Sequence, residues 1–204
     1  MSVLGVLVGG ISVGFFKLAA FGVDPFQSFM SGVDQLFALD FGTLYIIVNA
    51  LLLLFALVFD RHYIGLATFI NLFLLGYVVQ FSYDTLLALF PGASLGLRLM
   101  CFLGGFTVLC LSASLYITAD LGVSTYDAVA LIWSEKQKRI PFFACRVITD
   151  FLCVLCGILL CALAGYSLRE ITGQAGIGTI ITAFFMGPLI DLFSARVAKP
   201  FLFR

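Results

Sequence analysis

The sequence predicts an all-α polytopic membrane protein: six transmembrane helices arranged as two inverted three-helix repeats. Each repeat is expected to carry a short re-entrant or interfacial helix after its first span. Three observations lead there. Hydrophobic residues make up 62% of the 204 and charged residues only 11%, against about 25% charged in a soluble domain. A short polar and aromatic landmark occurs twice, 100 residues apart. Basic residues gather on one side of the spans.

Apolar runs place the spans at 2–22, 41–59, 64–86, 96–120, 141–164 and 174–196. Each is near the roughly 20 residues that a bilayer-crossing helix needs. The first run lacks the basic start and small-residue cleavage site of a signal peptide, so it reads as a true span. Its glycines, Gly5, Gly9, Gly10 and Gly14, stand four apart in two pairs and suit close helix approach, between spans or in a homodimer. After the first and fourth spans come 24–38 and 124–138, mixed in polarity and too short to cross the bilayer as helices. Both open on helix-start chemistry. Asp24 is a good N-cap, Pro25 suits the first helical position, and Gln27 sits at the capping-box place. Ser124 and Asp127 repeat the pattern.

The two halves, 1–95 and 96–204, align landmark by landmark. A shift of 100 sets Gly5, Ser12, Gly22, Phe26 and Gln27 on Gly105, Ser112, Gly122, Tyr126 and Asp127. A shift of 101 sets Asn49 on Asp150, and a shift of 111 sets Gly65, Thr68, Gly76 and Gln80 on Gly176, Thr179, Gly187 and Asp191. The common order of landmarks argues for duplication. Three spans per copy is an odd number, so the second copy must enter the membrane from the opposite side. Charge agrees with this. Arg61, Lys136, Lys138, Arg139, Arg196, Lys199 and Arg204 fall on the side of the N-terminus, while Arg98 and Arg169 fall on the other. Both termini are therefore expected in the cytoplasm. The short helices follow the same logic: the first, running to Asp40, is acidic, and the second ends in Lys136, Lys138 and Arg139.

Polar groups within hydrocarbon are costly and usually face the protein interior or a water-filled cavity. The substrate-binding candidates on this ground are Asp24, Gln27, Asn49, Asp127, Arg146 and Asp150. Lys17, Gln80, Ser124 and Asp191 are outer candidates, and Asn71 is a further buried polar position. Arg146 and Asp150, four apart, meet on one helix face. They are either a self-neutralising pair or a site where Arg146 holds an anionic group and Asp150 orients it. Lys17 either snorkels to headgroups, pairs with Asp24 or Asp191, or reaches substrate. Asp191 is either an interfacial cap or a site residue beside Gly187-Pro188, a place where the helix can kink. Asp127 and Gln27 either complete capping boxes or stand at helix starts whose dipoles favour an anion.

A span ending in Gly, then x-x-Pro or x-x-Thr, an aromatic residue, and Gln or Asp, followed later by a Gly-Thr span with a polar residue beyond a further glycine, resembles the YczE/YyaS/YitT group of bacterial membrane proteins. The resemblance covers nearly the whole chain and is clearest at Gly22–Gln27, Gly122–Asp127, Ile64–Gln80 and Gly178–Asp191. The first copy departs from the second by carrying Gln27 and Gln80 where the second has acids. It implies a multi-pass protein of the bacterial inner membrane and, for activity, no more than the transport role usually suggested for the family.

A small secondary transporter or permease is the leading expectation, with a small solute, an anion among the candidates, bound near the midplane between repeats. Protonation of Asp127, Asp150 or Asp191 would then supply proton coupling. A substrate-binding membrane subunit of a vitamin importer is the alternative, as is a membrane scaffold or accessory protein. No P-loop, serine nucleophile elbow or di-histidine motif occurs, so neither an enzyme nor a metal or other cofactor is expected. Zero formal net charge gives no case for nucleic-acid binding. The six cysteines, including Cys153-x-x-Cys156, and the lone His62 read as helix filler and a solvated turn residue.

Overall fold

The computed structural model describes residues 2–37, 41–119, 122–167, 171 and 175–202. Asp40, Arg169, Arg204 and the first residue of the expected sixth span, at 174, lie outside the described residues. Within them the chain is helical throughout: α1 (Ser2–Ala19), α2 (Pro25–Leu36), α3 (Phe41–Phe59), α4 (Leu66–Leu89), α5 (Leu95–Ala119), α6 (Thr125–Gln137), α7 (Phe142–Leu163) and α8 (Ile177–Phe193). A π-helical turn (Ser194–Ala198) and a last short helix (Lys199–Leu202) extend α8.

Four helices are long and apolar enough to cross a membrane: α4, α5, α7, and α8 with its extension to Leu202. The apolar stretches Leu4–Ala19 and Thr43–Phe59 are shorter. Their outer surfaces are apolar, which in lipid carries no penalty. On α4, Phe69, Phe73, Tyr77 and Phe81 form an exposed aromatic ridge four residues apart.

The first helix ends three residues before the expected Gly22. Ala20 turns into the left-handed region at φ 52°. The Arg98 guanidinium then closes the end, Nε donating to the Ala19 carbonyl at 2.8 Å and Nη2 to Ala20 at 3.2 Å. A cation on the orphan carbonyls of a helix C-terminus is favourable. The eighth helix runs through Pro188 without a break. Its irregularity comes later, in the π-turn, where Ser194 Oγ shares a 3.0 Å hydrogen bond with Thr118 Oγ1 of α5.

Two antiparallel helices, α1 and α5, form the centre. A methyl group on Gly5 would meet Tyr116 Cβ at 3.2 Å, and one on Gly105 would meet Phe15 Cβ at 3.0 Å. Low numbers on α1 thus face high numbers on α5, and the reverse. Ser112 Oγ donates to the Gly5 carbonyl, and the Ser12 carbonyl lies 3.1 Å from a Cβ built on Gly105. The glycine pairs of α1 divide their work. Gly5 and Gly9 meet α5, while Gly10 and Gly14 meet Val78 and Ser82 of α4. Phe16, Phe102 and Phe106 fill the core beside them with edge-on ring contacts at 5.3 and 6.3 Å.

The short helices pack inside the protein. A methyl on Gly32 of α2 would meet the Gly157 carbonyl of α7 at 2.6 Å, and one on Gly157 would meet the Ser28 carbonyl at 2.7 Å. α6 lies against α3 and α7. Each short helix is entered through a glycine in a conformation that side chains resist: Gly22 at φ 118° and Gly122 at φ 96°. Each of these turns docks on the other half of the chain. Thr179 Oγ1 donates to the Val23 carbonyl at 2.6 Å, and Thr68 Oγ1 donates to the Val123 carbonyl at 2.7 Å.

Candidate functional site

Both helix starts form as their residues dictate. Asp24 caps α2, its Oδ1 accepting from Gln27 N–H at 3.1 Å, with Pro25 at the first helical position. Ser124 caps α6, its Oγ accepting from Asp127 N–H at 3.0 Å. In a completed capping box the third-position side chain would reach back to the cap's own N–H. Here Asp127 does something else. Its carboxylate accepts from Ser124 Oγ at 2.6 Å, from the Tyr116 hydroxyl and from Arg146 Nη1. It is the junction of three elements.

Arg146 bridges two carboxylates. Nη1 pairs with Asp127 and Nε donates to Asp150 at 3.2 Å. The remaining nitrogen, Nη2, is directed at the Met186 thioether, 3.8 Å away. Asp150 also accepts from the Tyr126 hydroxyl at 2.5 Å, and the guanidinium sits 4.5 Å from the Tyr126 ring centroid. Asp127, Arg146 and Asp150 are 3%, 4% and 0% exposed. Burial this deep is tolerable because every charge has partners.

At the positions 101 residues before Arg146 and Asp150 the side chains are uncharged. Asn49 Nδ2 donates to the Tyr45 carbonyl at 2.8 Å, one helical turn back, and its Oδ1 accepts from Thr125 at 2.7 Å. Tyr45 stands 101 residues before Arg146, the same shift that matches Asn49 to Asp150. Its ring packs edge-on against Phe26 at 6.0 Å, as Arg146 packs on Tyr126. Phe26 and Tyr126, paired by the 100-residue shift, stack on each other at 5.1 Å and 26°.

Between these groups is a cavity of about 110 Å³, lined from both halves. Asp24, Gln27, Asn49, Ser124, Asp127 and Arg146 all line it, together with Asn71, Tyr45, Tyr116 and Tyr126. Asp150 stands behind, holding Arg146 and Tyr126. The volume has room for several water molecules or a small solute. Asp24 differs from the other acids. Its Oδ1 accepts from the Gln27 N–H, and among the described residues no cation lies within ion-pair distance of it.

The outer candidates separate. Ser124 belongs to the site. Lys17 reaches the Tyr83 ring at 5.8 Å, and no ion pair joins it to Asp24 or Asp191. Gln80 is exposed and donates to Asp84 at 2.8 Å, away from the cavity. Asp191 does not line the cavity and lies by the start of α7, near Phe143 and Lys199. Pro141 leaves that start without a side-chain cap of its own. The six cysteines are free thiols, Cys153 and Cys156 included.

Sequence reasoning missed Tyr45, Tyr116, Thr125, Tyr126 and Met186. Tyr45 was within its reach, since the repeat shift that found Asn49 also lands on it. Tyr116 and Met186 carry no such signal, because an aromatic residue or a methionine in an apolar run is ordinary core composition.

Comparisons with known proteins agree with the resemblance. An uncharacterized protein, YyaS, of Bacillus subtilis (strain 168) is 22% identical over 199 residues, covering 98% of this chain and 93% of that protein. An uncharacterized membrane protein of the same organism, YczE, is 27% identical over 187 residues, covering 91% of this chain and 79% of its own length. No solved structure matches. A family model described as a family of unknown function, DUF6198, matches residues 1–195. The all-helical fold, the apolar spans and the likeness to YczE make this a membrane protein, and the chain belongs to DUF6198.

Proposed function

We propose that this protein is a small secondary transporter or permease, built as two inverted three-helix repeats, that binds a small solute in the cavity between them. One observation carries the reading: the polar cavity sits where the starts of α2 and α6 meet, and both halves line it. Broken or short helices whose ends converge on a central site between repeats are the usual construction of such carriers. The reciprocal docking supports the repeat. Gly22 and Val23 rest on Thr179, Gly122 and Val123 rest on Thr68, and the two threonines are equivalent by the 111-residue shift. The antiparallel contact of α1 with α5 supports the inversion, because equivalent helices that meet antiparallel imply a two-fold axis across them.

In this reading α2 and α6 are re-entrant, both termini are cytoplasmic, and the bilayer is that of a bacterial inner membrane. The basic residues at Arg61, Lys136, Lys138, Arg139, Arg196 and Lys199 support that orientation. A scaffold would pair its intramembrane polar groups with one another and leave no space between the halves. The cavity favours a permease over that alternative.

Purified protein reconstituted into liposomes and offered labelled small cations, anions and neutral solutes tests the proposal. Flux of at least one class, lost on replacing Asp24 and Asp127 together with asparagine, is the expected result. Absence of flux for every class, or flux indifferent to the double substitution, contradicts it.

A further inference from the structure

Resting on the permease reading, we infer that the cavity takes a small organic monovalent cation, such as a protonated amine or a quaternary ammonium, with Asp24 as its counter-ion. Charge balance favours a cation. Two carboxylates at the cavity wall, Asp24 and Asp127, and a third behind it, Asp150, stand against one guanidinium, Arg146. With all ionised, the sum is −2. An entering anion takes it to −3, and a monovalent cation brings it to −1. In a site of low dielectric, uncompensated charge is costly, so the cation is favoured.

Arg146 is the cationic side chain in the cavity lining, and so the side chain that would suit an anion. Its Nη1 and Nε are both committed to carboxylates, and Nη2 faces a thioether. A solute anion could gain the guanidinium only by displacing Asp127 or Asp150, leaving a buried carboxylate unpaired. The preference that Arg146 alone suggests is therefore reversed by its partners.

The lining points the same way. Phe26, Tyr45 and Tyr116 bring aromatic surface to the cavity that Asp24 also lines, and among the described residues no cation lies within ion-pair distance of that carboxylate. An ammonium group beside aromatic rings gains from their negative faces.

Isothermal titration of the purified full-length protein with tetramethylammonium chloride, tert-butanol (its neutral near-isostere) and sodium acetate tests this. Saturable binding of tetramethylammonium, none of tert-butanol or acetate, and about tenfold or greater weakening in Asp24→Asn are expected. Asparagine is as good an N-cap as aspartate, so this variant keeps the start of α2. Asp84→Asn, on the exposed face of α4, should bind as the parent does. Saturable acetate binding, tetramethylammonium binding unchanged in Asp24→Asn, or no tetramethylammonium binding at all overturns the inference. The permease reading fails separately: cation binding without flux in liposomes removes transport and leaves the site, whereas flux of an anion or neutral solute without cation binding does the opposite.

Discussion

At the scale of single residues, three charged groups of the second half, Asp127, Arg146 and Asp150, stand 100 or 101 residues after uncharged ones, while Asp24 stands 100 residues before Ser124. Tyr126, Asp127, Arg146 and Asp150 answer to Phe26, Gln27, Tyr45 and Asn49. Arg146 is the member whose loss costs most, because its removal strands two buried carboxylates. Breaking a buried ion pair from one side typically costs about 3–5 kcal/mol. Arg146→Met should lower unfolding stability in detergent by that order, and adding Asp127→Asn and Asp150→Asn should restore a large part of it. A triple variant no more stable than the single one would show that the three groups are not coupled. The acids and the arginine were readable in the sequence, since ionisable residues in apolar runs stand out against hydrocarbon. The pairing of Arg146 with Asp127 was not. Nothing in the local pattern shows that α6 and α7 bring them together, and the i,i+4 partner Asp150 was the one visible contact.

At the scale of elements, two threonines hold the polar helix starts in place. Thr68 and Thr179 each donate to a carbonyl in the turn before the opposite short helix. Substitution by valine keeps the shape but leaves a buried carbonyl unsatisfied, which costs about 1–3 kcal/mol. Thr68→Val and Thr179→Val should therefore destabilise by similar amounts, read as midpoint shifts in thermal unfolding. A large loss at one and none at the other would argue against equivalent docks. Gly22→Ala and Gly122→Ala should be worse still. Each requires an alanine at strongly positive φ, with its methyl 2.5 Å from Thr179 Oγ1 in the first case and 2.6 Å from Gly65 Cα in the second. Helix existence was legible from hydropathy and caps: all eight main helices lie where apolar runs or the Asp24 and Ser124 starts put them. Ends were less so. Arg98 closes α1 from a distant helix, donating to the Ala19 and Ala20 carbonyls. Such partners are set by tertiary approach, which periodicity does not encode.

At the scale of the whole molecule, a solute site between the halves requires that polar groups deep between apolar helices be wetted from an aqueous face. Composition and span count made a membrane protein legible, and the 100-residue landmark pointed to where the halves meet. The cavity itself was not legible, because empty space arises from how glycine contacts such as Gly5 on Tyr116 and Gly32 on Gly157 set helix spacing. The most direct test is cysteine accessibility in native membranes, on a background with Cys153 and Cys156 replaced by serine and alanine. Gln27→Cys lines the cavity, and Phe73→Cys lies on the exposed aromatic ridge of α4. A membrane-impermeant maleimide should label Gln27→Cys from an aqueous face while Phe73→Cys stays unlabelled until detergent is added. If Gln27→Cys also stays unreactive from both faces until the protein is denatured, the cavity is sealed from water, and the proposal of a solute site between the halves is contradicted.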